Sequence, residues 1–452
     1  MRGSRPLLLP AALFLLPMLA VPWLPDPVRA FPVWCGLLLP STAGWLLALR
    51  RVSRDGSAAG GIGFVVLVAV AARILWLVPP VPLSDDLYRY LWDGRVANAG
   101  IHPFEWAPSA PELERLRDEE VWPKINHPDV PTIYPPVAQG WFRALDAFAP
   151  SPLGARAAAA LADLLVVGLL GVLLGFRGRS PAGALVAGWC PLSVLESAGG
   201  GHVDAPGAML LTAAVVVMQR TEGAPAFGPG LLASLAAMVK PVPLLAAPAM
   251  LRDGPAARRI ALLAGAALAL TVAVPYMGAG EKLFAGFRTY AEHWRFNDAL
   301  YWLLTGGGLS PGAARMTLAL AVAALAIVAA WRVRDPVAAA GCAVAAGVAL
   351  SPTVHPWYAL WLVPFLPFLP RAVRPAGLTL VALLPLSYAA AWTEATTGAW
   401  GEPAWLRPAV WIPVGIALAA GTAWWLRSNA DGRAESSGPA DGDGRADRSA
   451  RP

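Results

Sequence analysis

The sequence predicts an all-α polytopic membrane protein, and three observations carry that prediction: composition, recurring apolar runs, and the placement of arginine. Hydrophobic residues fill 57% of the 452 positions and charged residues only 14%, with a mean hydropathy of +0.53. A soluble chain of this length needs far more charge to cover its surface. Runs of about 20 apolar residues, enough to cross a bilayer, recur along nearly the whole chain and predict about 12–13 transmembrane helices. The net charge of +6 sits in arginines gathered in short hydrophilic breaks. That pattern records membrane orientation and is not a nucleic-acid surface.

In chain order the predicted spans are 7–24, 31–49, 60–80, 154–176, 181–198, 205–219, 259–277, 311–331, 336–350, 356–370, 375–392 and 406–426. The first contains prolines and lacks a small-residue cleavage site, so it reads as a membrane helix rather than a removable signal. Arg2 and Arg5 place the N-terminus in the cytoplasm. Arg50, Arg51 and Arg54, Arg177 and Arg179, Arg220, Arg332 and Arg334, and Arg371 and Arg374 then fall on that same side.

The stretch from Gly228 to Leu251 allows two readings. Arg220 precedes it, while Arg252, Arg258 and Arg259 follow. It either enters and returns as two half-helices turning at Lys240, or crosses once with a kink at Pro241 and inverts everything downstream. The re-entrant reading is preferred because it keeps every later basic loop inside. Broken helices of this kind belong where they line a protein cavity.

Residues 1–427 form one transmembrane domain in this reading. A long extracytoplasmic loop occupies 81–153, with shorter outer loops at 199–204, 278–310 and 393–405 and a tight turn at 351–356. Residues 428–452, rich in Gly, Ser, Asp and Arg, predict a disordered cytoplasmic tail. Cys35, Cys190 and Cys342 lie in apolar runs without metal or redox spacing.

The long loop interleaves tryptophan, tyrosine, histidine and acids, and loops of this length are functional or disordered. Aromatic rings stack on the C–H faces of a pyranose while carboxylates bind its hydroxyls, so the composition suits a sugar-binding surface. Ser84 is placed to cap a helix from Asp85 to about Ala99, ended by Gly100. On it Asp86, Tyr90 and Asp93 share a face, and Leu87, Leu91 and Trp92 offer apolar area to the membrane interface. Asp85 and Asp86 either complement the positive helix terminus or include a general base. An acid where a span ends can reach an acceptor while a donor's lipid tail stays in the bilayer.

These residues carry a resemblance. Asp85-Asp86 followed by YRYLWDGR, then Gly100-Ile101-His102-Pro103-Phe104, Pro131 to Pro136, GHVDA at 201–205, Lys240-Pro241, and SPTVHPWY at 351–358 occur in order. Together they resemble the GT-C superfamily of polyprenyl-phosphate-sugar-dependent glycosyltransferases, within it most of all glycosyltransferase family 87 and related bacterial mannosyltransferases. The resemblance covers about 60 to 392. It implies a GT-C-type bundle with short helices in the first outer loop, set in a bacterial inner membrane with an extracytoplasmic active site. The implied reaction moves a sugar, typically mannose, from a polyprenyl monophosphate to a glycan, glycolipid or protein acceptor with inversion. That displacement needs a carboxylate to deprotonate the acceptor and cations to hold the leaving phosphate.

Asp86 is assigned as the base, with Asp85 second. Lys240, Arg288 and Arg295 are assigned to the donor phosphate, although lysine can also snorkel and arginine can meet lipid headgroups. Tyr88, Arg89, Tyr90, Trp92, Asp93, His102, Tyr134, Glu196, His202, Asp204, His293, Trp294, Asn297, His355, Trp357 and Tyr358 are assigned to sugar and acceptor. Set against that, His202 and Asp204 could form a solvated turn, and the Trp357-Tyr358 pattern suits any aromatic belt. No His or Cys pair has metal-ligand spacing, so no cofactor is expected, with a distributed carboxylate–histidine site as the competing idea. The absence of a Gly-rich phosphate loop argues against a nucleotide-sugar donor. A lipid-linked glycan polymerase or ligase is the nearest enzymatic rival. A transporter or flippase should instead show repeat symmetry and a midplane site, and a non-catalytic assembly subunit would have no use for the acidic pair.

Overall fold

Three apolar helices begin where a short polar side chain satisfies a free backbone N–H group. Ser151 accepts from Gly154 N at 3.0 Å and opens Pro152–Phe176. Ser310 accepts from Ala313 N to open Pro311–Arg332, and Asp335 accepts from Val337 N to open Pro336–Ala349. In each case proline follows the cap, where its missing N–H costs nothing. The computed structural model describes residues 7–55, 61–221 and 224–430. Among these there is no named strand, only an isolated bridge between Phe296 and Thr353. The protein is an all-α polytopic membrane protein.

Six segments are long and apolar enough to cross a membrane: Phe31–Asp55, Pro152–Phe176, Ala256–His293, Pro311–Arg332, Arg374–Thr397 and Leu406–Ser428. Five shorter apolar segments join them: Leu8–Trp23, Ile62–Leu77, Gly228–Ala237, Val242–Arg252 and Pro336–Ala349. The expected 12–13 transmembrane helices are a mixture of whole, short and broken helices. Span 356–370 is built from 3₁₀ pieces, Pro356–Trp361 and Val363–Phe365. Span 181–198 breaks at Trp189-Cys190 and ends in π-helical turns at Leu195–Gly199. Both lie in the interior, where neighbouring protein rather than lipid meets the freed backbone.

At the break, that neighbour is Arg73. Its guanidinium donates to the carbonyls of Gly188 and Ala69 at 2.9 Å each and pairs with Asp163 at 2.5 Å. Ser197 donates to the same carboxylate at 3.1 Å. Neither charge was singled out in the sequence, since each is alone in an apolar run. Arg156 ties the next turn, donating to the carbonyls of Ala198, Pro79 and Trp76.

The stretch from Gly228 folds as the re-entrant hairpin. Gly228–Ala237 ascends, the chain turns at Lys240-Pro241, and Val242–Ala246 with Ala247–Arg252 descends. Its two flanks meet at one end of the bundle, where Met218 and Gln219 share a cavity with Asp253, Gly254 and Arg258. Lys240 sits at the opposite end, bonded to Asp204 at the start of the helix Asp204–Arg220. Arginines mark the first end. Arg177 pairs with Asp335 at 2.6 Å, Arg179 and Arg374 reach the Pro367 carbonyl, and Arg252 reaches those of Ala330, Val333 and Arg334.

The opposite end carries the long loop. Ser84 Oγ accepts from Asp86 N at 3.2 Å, the acidic helix runs Asp86–Asn98, and Gly100 follows with φ 78°. This helix packs on Pro136–Phe148 so closely that a Cβ at Gly94 would lie 2.1 Å from the Phe142 carbonyl oxygen. Leu87, Leu91 and Trp92 are buried, so the apolar face expected at the membrane interface packs inside the protein instead. Trp92 lies 5.2 Å from Trp122. The loop is large enough to have its own interior, and that interior claims the apolar face.

The outer segment expected from 278 begins differently: helical structure continues from Ala256 to His293 with a non-helical residue at Gly280 (φ 56°). The last helix, Leu406–Ala430, extends three residues into the expected tail. The rest of that tail, with Arg2 and Arg5, lies outside the described residues.

Candidate active site

Residues distant in sequence converge at the loop end. The Leu83 N–H donates to the Gly199 carbonyl at 3.0 Å, which fixes the start of the acidic helix beside the Gly199–Asp204 turn. In that turn Gly201 takes φ 74°, and a Cβ at Gly200 would meet the His202 ring at 2.7 Å. Glycine is required there, and it lets the buried imidazole lie flat against the backbone. The π-helical turns before it widen the helix and turn Glu196 toward His202.

His202 consequently stands between two acids. Its Nδ1 is 3.7 Å from Asp86 Oδ2 and its Nε2 is 3.3 Å from Glu196 Oε2, though neither approach is aligned as a hydrogen bond. Both ring nitrogens and Glu196 Oε1 are buried without a partner. Tyr388 donates to Glu196 Oε2 at 3.0 Å. Lys240 bonds Asp204 Oδ2 at 2.5 Å, and Trp361 Nε1 donates to Oδ1 of the same carboxylate at 2.7 Å. The Lys240 ammonium also lies 4.9 Å above the Tyr358 ring, whose hydroxyl bonds that of Tyr290.

The rings form a column. Phe296 stacks on His355 (4.6 Å), His355 on Trp357 (4.2 Å) and Trp357 on His202 (4.0 Å). Phe296 is held there by backbone bonds to Pro352 and Val354. Asn297 clamps the next position. It is buried at φ 45°, takes Glu402 on its N–H, Ser387 on its amide and Trp411 on its carbonyl. Beside the column opens a cleft of about 360 Å³ lined by Ser84, Asp85, Tyr88, Lys124, Phe296, His355, Trp357, Tyr388, Glu394 and Trp400, with Val28, Val81 and Leu83 among its apolar wall.

The two acids have different surroundings. Asp85 faces the cleft, and burial, then the charge of Asp86, raises its carboxyl to about 7. Water reaches it through the mouth of the cleft, which limits that effect. Asp86 points inward to His202. Asn126 spans both, its amide donating to Asp85 Oδ1 at 3.0 Å and Asp86 Oδ1 at 2.7 Å.

Of the sequence-assigned residues, Asp85, Asp86, Tyr88, Glu196, His202, Asp204, Lys240, His355, Trp357 and Tyr358 gather at this place, with Asn297 behind them. Arg89 instead pairs with Asp93 at 2.8 Å and reaches the Val130 carbonyl, inside the loop's own packing. Tyr90 and Tyr134 pack on each other and on Phe142, and Trp92 is in the same interior. His102 packs against Phe104 and Tyr276. Trp294 lies against His127, His293 is exposed on its own helix, Arg288 reaches the Glu281 carbonyl, and Arg295 is exposed. Sequence reasoning missed Lys124, Asn126, Trp361, Tyr388 and Glu394. Of these, only Lys124 and Glu394, charged groups in predicted outer loops, carried any signal. Among the described residues no three His, Cys, Asp or Glu side chains form a metal-binding group.

A carboxylate pair, an ammonium and a ring-lined cleft can together deprotonate a hydroxyl, hold a phosphate and stack on a sugar. The sequence matches, over residues 16–252, the family described as alpha-(1->6)-mannopyranosyltransferase, N-terminal domain. That is just over half of the 452 residues. The chain belongs to this mannosyltransferase family. It is a glycosyltransferase, as the resemblance to family 87 implies. The matched region of this mannosyltransferase includes Asp85, Asp86, Glu196, His202, Asp204 and Lys240, and ends before His355 and Trp357. No curated protein and no solved structure matches the chain.

Proposed function

We propose that this membrane glycosyltransferase moves mannose, with inversion, from a polyprenyl-phosphate donor to a glycan, glycolipid or protein acceptor at the extracytoplasmic face of a bacterial inner membrane. One observation carries the reading: Asp86, Glu196 with His202, Lys240, and His355 with Trp357 come from four separate parts of the chain to one place beside a cleft. Chains fold polar groups together at a membrane protein's end for a ligand more readily than for packing.

In this reading Asp86 takes the proton of the acceptor hydroxyl as its oxygen attacks the anomeric carbon. The bond from that carbon to the phosphate oxygen breaks, and the phosphate leaves with the electron pair. Asp85 is the second choice for the base, since it faces the cleft directly. Lys124, which lines the cleft, and Lys240 supply positive charge near the leaving group. Lys240 is the weaker of the two, because Asp204 already offsets it. Arg288 and Arg295, outside the cluster, remain as contacts for a donor arriving from the membrane. Trp357 and His355 offer ring faces and edges to sugar. The reading uses protein cations and no resident metal. The apolar cleft wall at Val28, Val81 and Leu83 suits the first part of a polyprenyl chain. With the arginine-marked end taken as cytoplasmic, the site faces outward.

The test is transfer from polyprenyl-phosphate mannose to membrane-derived acceptors by purified protein. Wild type should transfer mannose with or without a chelator. Asp86→Ala should lose at least about 100-fold in rate, the lower range for a positioned general base, and Asp85→Ala less. Absence of transfer from any polyprenyl-phosphate sugar would sink the donor reading, and full activity of both variants would sink the base.

A further inference from the structure

We infer that Asn126 is the positioning residue of the acidic pair, a neutral bridge that holds both carboxylates in place and stabilises negative charge on them for proton transfer. The inference rests on the reading of Asp86 or Asp85 as the base. The geometry is specific. Asn126 comes from the strap just after the 3₁₀ turn Trp122–Lys124, 40 residues from Asp86 in the chain, and its one amide nitrogen reaches both carboxylates at 2.7 and 3.0 Å. Each amide hydrogen is thereby used on a different acid. The strap is fixed at its base by Asp118, which accepts from Val121 N and Trp122 N and pairs with Arg95 of the acidic helix.

Adjacent carboxylates resist joint ionisation, and a donor to both charged forms opposes that resistance. A lysine in the same position would neutralise the pair; an amide stabilises it and leaves its negative charge for the acceptor proton. Other groups face the pair from every side. From the strap come Asn126 and Lys124, from the Gly199–Asp204 turn His202 with Glu196 behind it, and from the segment after Tyr388 comes Glu394. Tyr88 stands on the acids' own helix, and Asp204 with Lys240 lies further in. Of these, only Asn126 hydrogen-bonds both acids. Burial and Asp86 raise Asp85 to about 7, and the Asn126 bond acts in the opposite sense.

The experiment is the pH profile of kcat/KM for mannosyl transfer by wild type, Asn126→Leu, Asn126→Asp and Asn126→Ser. Leucine keeps the volume and removes both donors, and should move the acid limb alkaline by about one pH unit, with activity recovering above it. Aspartate adds a third acid and should move the limb further. Serine keeps one donor, should fall between, and serves in place of leucine if that variant does not assemble. An unmoved limb in all three, or an equal loss at every pH, would overturn the inference while leaving the base reading intact. Asp86→Ala and Asp85→Ala run alongside, and their full activity would overturn both.

Discussion

Asp85 and Asp86 are neighbours in the chain but meet different environments, and the difference is measurable. Asp85 lines the cleft and its carboxyl is raised to about 7 by burial and by Asp86. For a raised acid the folded protein favours the protonated form. Stability from this group is therefore lost as pH climbs from the ordinary carboxylate range through about 7, while the ionised fraction grows. Transfer that needs both carboxylates charged should accordingly increase between about pH 6 and 8. Asp85→Asn should flatten that rise in the pH profile of kcat/KM; an unchanged profile would show that Asp85 does not control it. At this scale the sequence was partly legible. Acidic residues after a span and the GGGH run announced themselves, because ionisable groups and clustered glycines are unusual near a membrane. Asn126 and Tyr388 did not, since one amide in a polar loop and one tyrosine in an apolar run are ordinary until the fold brings them to a carboxylate.

At the scale of elements, the broken helix Pro181–Gly199 is what turns Glu196 and His202 toward Asp86, and Arg73 fills its break. Removing one partner of a buried ion pair strands the other, at a cost of about 3–5 kcal/mol. Asp163→Ala should thus lower the midpoint of thermal unfolding in detergent sharply. Replacing both Arg73 and Asp163 with leucine should cost less for the pair itself, although the carbonyls of Gly188 and Ala69 then lose their donor. Equal melting of Asp163→Ala and wild type would show that the break holds itself. The close contact of the acidic helix is a second case. Gly94→Val has no room against the Phe142 carbonyl, so it should displace the helix and abolish transfer, with reduced yield of folded protein. The span lengths in the sequence marked these elements as present, but not as broken. A hydropathy run cannot distinguish a continuous helix from one interrupted inside the protein, where the breaks are satisfied by residues far away.

Across the whole molecule, polar groups divide between two ends. Arg177, Arg179, Arg252 and Arg374 bind carbonyls and acids at one, while Asp86, His202, Lys240 and His355 gather at the other. Side chains such as Leu67, Leu320 and Ile416 lie exposed between, as a lipid-facing surface requires. Single cysteines at Lys124, Lys240 and His293 should react with an impermeant reagent from one side of the membrane, and at Asp253 and Arg332 from the other. Labelling of position 240 together with position 253 would refute the hairpin's turn at the loop end.

The sequence by itself determined the class of protein and most of the polar residues that meet, because each follows from composition, charge placement or local chain chemistry; between a hairpin and a kinked span at Lys240-Pro241 it gave a preference, and the fold decided. Only the tertiary structure decided which residues of the long loop face the site. Arg89, Tyr90, Trp92 and Asp93 share the acidic helix with Asp86, yet they are consumed by the loop's own packing against Pro136–Phe148. Helical periodicity states which residues share a face; what that face meets is set by elements that close over it from elsewhere in the chain.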